Sequence, residues 1–189
     1  MLLIFSAIVA LGQENYKGCP MGGDKPSLAS KDSLKNRFVI PASFSSIDFE
    51  SMAKMKVGST SHKQTEAVKL KGYVLEVKFG GSETCNCHTT DKTIFDTHIV
   101  LVKDETVTDA KDGIVVEITP RVRELMAKKA LDWTTEAVSK EFLHKVVTVE
   151  GYLFDDSEHT AMSAADGAHP ANTHRATCWE IHPVTGITL

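Results

Sequence analysis

The chain has 189 residues, and its 21 Lys and Arg against 25 Asp and Glu give a formal net charge of −4. At 42% hydrophobic and 24% charged it has an ordinary globular balance, long enough to bury a core of its own as one domain with some terminal excess. The mild acidity removes any general pull toward nucleic acid or an anionic membrane, leaving only a local basic patch open.

The first twelve residues, MLLIFSAIVALG, are nearly all apolar from Leu2 to Leu11. That is the length of a secretory apolar region, and Ala10 and Gly12 are suitably small for a cleavage after Gly12. No Lys or Arg precedes Leu2, and the run is too short to span a bilayer, so no transmembrane segment is expected. The expectation is a signal peptide over 1–12 and an exported protein, periplasmic or secreted. A buried N-terminal strand or helix is the alternative.

Residues 13–66 read as a flexible lead-in, rich in Gly, Pro and Ser at first, with one short helix inside 38–57. Ser45 or Ser46 is the expected cap of that helix, with Asp48 and Glu50 in its first turn.

From Val68 the period changes to two. VKLKGYVLEVKF places Val68, Leu70 and Val74 on one phase, then Tyr73, Leu75, Val77 and Phe79 on the other. A phase change near Gly72 predicts a bend or bulge in one long strand. THIVLV from Thr97 and GIVVEIT from Gly113 follow as two strands of a hairpin, joined by a turn ending at Gly113. Thr119 then suits the cap of a helix with Pro120 at its first position, and a second helix runs roughly from Thr134 to His144. Alternation resumes in KVVTVEGYLF, a polar loop covers 155–177, and CWEIHPVTGITL closes the chain as a strand interrupted at Pro183. Three strands, helices and two strands make a mainly β fold with α elements. The order is that of a five-stranded OB-fold-like Greek-key barrel over 67–189, with helices between its third and fourth strands. An open α+β sheet is the alternative.

Two blocks carry a resemblance. VTVEGYLFDDSEHT followed by THRATCWEIHPVTGI, and ETCNCH followed by DTHIVL, resemble segments of a group of largely uncharacterised exported bacterial OB-fold-like proteins. The likeness covers about residues 68–189, with WEIHPVT as its most specific segment. It implies a fold and a compartment, and carries over no activity.

Six of the eight histidines gather near the loops 80–96 and 155–177, which an OB-fold brings together at its binding face. Asp96 and His98 share a strand face, as do Glu180 and His182, with Trp179 and Ile181 on the core side. These acids and histidines, with His159 and Arg175, form the candidate ligand site; His98, His159 and His182 are its candidate metal ligands. Such donors suit a divalent metal such as zinc, a small anion beside one, or proton transfer. The alternative is that they merely hydrogen-bond one another on an exposed barrel face.

The four cysteines permit three pairings. Cys85 with Cys87 would close a strained ring, whereas a bond from either to Cys178 or Cys19 is easier to build. Pairing with Cys178 would tie the two loops together. As a zinc motif ETCNCH fails, since one intervening residue is too few and no second pair exists. Arg121 and Arg123 oppose the dipole at their helix start, which suggests surface salt bridges. The leading function is therefore an exported binding module for a divalent metal or small anion. A metal-dependent phosphodiester hydrolase is the second reading. A non-catalytic oligonucleotide or oligosaccharide binder is the third.

Overall fold

A computed structural model describes residues 14–189, and the apolar run 1–12 lies outside them. A short hairpin, β1 (Asn15–Tyr16) and β2 (Cys19–Pro20), leads into helix α1 (Ala29–Lys35). Strand β3 (Ser45–Ser46) pairs parallel with the start of the long β4 (Ala67–Phe79), and helix α2 (Phe49–Ala53) lies between them in sequence. The rest follows as β5 (Thr97–Val102), β6 (Ile114–Ile118), α3 (Pro120–Ala127), α4 (Thr135–Phe142), β7 (Val146–Asp155) and β8 (Trp179–Thr188).

The main sheet closes on itself. Its order is β3-β4-β5-β6-β8-β7, and β7 returns to pair with β4. Five strands therefore form an OB-fold-like barrel, with the short β3 as an added edge. Closure depends on β4 serving two partners: Ala67 to Tyr73 pairs with β7, and Tyr73 to Phe79 with β5. A strand that changes neighbours must bend, and its register shifts between Val74 and Glu76. The expected change of phase thus falls just after Gly72.

The helices between β6 and β7 plug the barrel. Thr119 accepts from Val122 N–H and caps α3, while Thr134 caps α4. Val122, Met126, Val138 and Phe142 enter the same core as Leu70, Ile99, Val149 and Ile181. Strand β8 runs unbroken through Pro183, and the register of β7 shifts opposite it around Gly151. A side chain at Gly151 would meet Pro183 O at 2.4 Å and Ile181 Cγ2 at 2.6 Å, so only glycine fits there.

The segment 14–66 is packed, not a flexible lead-in. Met52 and Met55 lie in the barrel core, and Lys35 and Asn36 are buried. Arg37 donates to the carbonyls of His182 (3.0 Å) and Leu153 (3.3 Å), fastening the segment to β7 and β8. Its charged and polar anchors escape a search for apolar periodicity. Asp48 caps α2 by accepting from Ser51 N–H, because Ser45 and Ser46 are already paired with β4.

The disulfide joins Cys19 to Cys87, with Cα atoms 5.7 Å apart. Pairing of Cys85 or Cys87 with Cys178 is therefore incorrect. Cys178 packs in the barrel core and Cys85 is buried, both as free thiols. The turn over Thr84–Asn86 buries Cys85, whose carbonyl accepts from Asn36 Nδ2, and leaves Cys87 to meet β2. The bond ties residues 68 apart in sequence. Cys87→Ser should lower the unfolding free energy by about 2–4 kcal/mol in urea denaturation. Peptide mapping of the unreduced parent should recover Cys19 linked to Cys87, with Cys178 unlinked.

Candidate functional site

Alternation along β8 sends Trp179 and Ile181 to the barrel interior and Glu180 and His182 to the other side. That second side is sealed too. Glu180 is 1% exposed and His182 0%. Helix α1 and the loop after β7 lie over it, so the expected surface patch is an interior network of charges.

One half of the network surrounds His182. Its Nδ1 lies 3.3 Å from Glu180 Oε2 and 3.4 Å from Glu117 Oε2. Its Nε2 lies 3.3 Å from Asp96 Oδ2, yet no hydrogen bond of acceptable geometry reaches that nitrogen. Register places His98 opposite Glu117 on β5 and β6, and His98 Nδ1 sits 2.9 Å from Glu117 Oε1. Arg175 donates from Nη1 to Glu180 Oε1.

Asp156 is the centre of the other half. Its Oδ1 accepts from Lys31 Nζ at 2.9 Å, while Oδ2 faces His159 Nδ1 at 2.8 Å and Lys35 Nζ at 3.4 Å. Lys35 also reaches Glu83 Oε2 at 2.7 Å, linking α1 to the loop that holds ETCNCH.

Burial in a low-dielectric interior disfavours every one of these charges, and pairing decides the outcome. Burial lowers the His182 pKa, but Asp96, Glu180 and Glu117 outweigh it and push the value up to about 10. Burial raises Glu180, but Arg175 and His182 hold it at about 2. Burial also raises Asp156, yet His159, Lys35 and Lys31 keep it well below the usual carboxylate range. For Glu117 burial prevails over His98 and His182, and its pKa is raised. The hydrogen bond to Asp156 raises His159.

The predicted site residues therefore fall into two layers. His98, His159 and Arg175 line one cleft of about 380 Å³, together with His174, Lys78 and Glu76. Asp96, Glu180 and His182 lie beneath it, buried. The expected metal trio of His98, His159 and His182 is not among the described groups whose ligand atoms lie within 4.8 Å of one another. Among the described residues, two other groups could hold a metal ion: Asp96 with Glu117 and His182, and Asp156 with His159 and Glu180. In the second, Lys31, Lys35 and Arg175 already neutralise the carboxylates.

Glu117, Asp156, Lys31 and Lys35 were not legible as site residues. Only Glu117 carried a signal, as a single acid inside the apolar strand GIVVEI. The contacts of Arg121 and Arg123 among the described residues are to oxygens of the fold, where surface salt bridges were expected. Arg121 is buried and donates to Cys19 O, and Arg123 donates to Thr97 Oγ1 and to the carbonyls of Thr93 and Phe95.

No family model and no curated protein matches the chain. Among the described residues, no helix is long and apolar enough to cross a membrane.

Asp156 gives the network a pH signature. Its pKa is lower folded than unfolded, so its contribution is present above the unfolded value of about 3.9 and lost as pH falls toward the folded one. Asp156→Asn should cost about 3–5 kcal/mol at pH 7 by leaving two lysines and His159 facing an amide. Urea unfolding between pH 5 and 2 should show a shallower acid loss in the variant than in the parent.

Proposed function

We propose that the protein is an exported OB-fold-like module that binds one divalent cation through Asp96, Glu117 and His182. The observation that carries this reading is convergence: one ligand atom from each of the three side chains lies within 4.8 Å of the others, and His182 Nε2 faces Asp96 Oδ2 at 3.3 Å. A buried imidazole with carboxylates facing both of its ring nitrogens is an arrangement that a metal ion can complete in place of a proton. One imidazole nitrogen with two carboxylates suits a borderline ion such as Zn²⁺ or Mn²⁺. The two carboxylates balance the charge of the ion, and the ion takes the place of the imidazolium proton.

All three ligands are almost wholly buried. A closed site of this kind holds an ion for stability, whereas a catalytic one keeps a position open to water. The hydrolase reading therefore has less support. The nucleic-acid reading is weakened by burial of the candidate stacking residues Phe154 and Trp179, and by Arg37 lying 4.2 Å from the Tyr152 ring centroid. Export is supported by the Cys19–Cys87 disulfide, which persists in an oxidising compartment.

Elemental analysis of the full chain, purified without a His-tag, tests the proposal. About one equivalent of zinc or manganese should be present, or be taken up on incubation. Saturation at a hundred times Kd should raise stability by about 2.7 kcal/mol. Both effects should vanish in His182→Gln. Less than half an equivalent after incubation would contradict the assignment.

A further inference from the structure

We infer that the cleft between β4, β5 and the 157–175 loop binds a phosphate group, either as the free anion or as a monoester. The cleft is a different site from that of the buried ion, and Glu117 and Glu180 touch groups of both.

Its charge is the first reason. Lys78, His159 and Arg175 are basic groups of the lining, beside His98 and His174, and the acid among them, Glu76, is engaged through Oε2 by Lys78 Nζ at 2.9 Å. The acids that orient Arg175 and His159 are buried behind them, so the side of the pair that meets the cleft is the basic one, which favours an anionic ligand. The volume of about 380 Å³ is in the range of small-molecule sites.

The second reason is how these groups are held. The Arg175 side chain is only 7% exposed and donates from Nη1 to Glu180. Its backbone is fixed as well, since Arg175 N donates to Met162 O and Arg175 O accepts from Ala164 N. No other protein group among the described residues accepts from its guanidinium, so the remaining donors are available to the cleft. His98 and His159 are each oriented by Nδ1 against a buried carboxylate, which leaves Nε2 as the free ring nitrogen of both. Such supports fix ring direction before a ligand arrives.

Geometry selects the ligand class. The groups come from three elements: Lys78 from β4, His98 from β5, and His159 with Arg175 from the loop. Polar groups placed on several sides of one space suit a tetrahedral oxyanion better than a planar carboxylate, which one arginine fork would satisfy.

Calorimetric titration of the full chain, both as purified and after chelator treatment, tests the inference, with inorganic phosphate, methyl phosphate and acetate as probes. Both phosphates should bind, and acetate should bind at least about tenfold more weakly. A preference for methyl phosphate marks the ester as the natural ligand, and a preference for inorganic phosphate marks the free anion. Arg175→Lys, which keeps a cation beside Glu180, should weaken phosphate binding about tenfold. Lys78→Ala, at an exposed strand position, should fold normally and weaken it about threefold. If Arg175→Lys fails to fold, Lys78→Ala still decides. No phosphate binding by the parent up to about 10 mM, equal affinity for acetate, or unchanged affinity in Lys78→Ala would overturn the inference. Because metal content is read on each sample, absence of phosphate binding in both states is distinct from failure of the cation site.

Discussion

The pairing of Asp156 with Lys31 and Lys35 is the interaction on which the rest of the architecture depends. It brings α1 and the loop after β7 together above β8, and it converts the outer face of that strand into interior. Isolated charges do not survive there, since removing an ion from water costs several kcal/mol even after relaxation. Each one present is therefore answered. Glu83 meets Lys35, Glu180 meets Arg175 and His182, and Glu117 meets His98. The Cys19–Cys87 bond fastens the same cover at a second point, between β2 and the loop after β4.

This cover separates two kinds of chemistry by only one layer of side chains. Beneath lie carboxylates crowded around a single imidazole. Above lie basic side chains whose orientation those carboxylates set. Glu117 touches both His98 and His182, and Glu180 touches both Arg175 and His182, so a change in the lower layer is felt in the cleft. One set of buried acids thus serves the stability of the fold and the arrangement of the site.

The barrel was legible because its signals are local. Period-2 runs, the Gly72 region of β4 and the Thr119-Pro120 cap each report on a few neighbouring residues, and their order gives the topology. The two-layer site was legible only in part. His98, His159 and Arg175 do meet in a cleft, as their placement near two facing loops implied. What covers β8 was invisible, because the cover is held by lysines and arginines in a polar, glycine-rich segment. Apolar periodicity is silent on charges that are buried in pairs. The disulfide was open for a related reason: three pairings are compatible with four cysteines, and choosing one requires knowing that β2 lies against the turn at Thr84–Asn86. Glu117 became a site residue only through register, which sets it opposite His98.

The central claim is that α1 is bound to the barrel through paired buried charges. A double-mutant cycle on Lys35→Met and Asp156→Asn, read by urea denaturation at pH 7, measures that pairing directly. A coupling energy of about 1–3 kcal/mol is predicted, with the double variant less destabilised than the sum of the two single ones. Additive effects within about 0.3 kcal/mol would show that the two residues act independently, and would contradict the account.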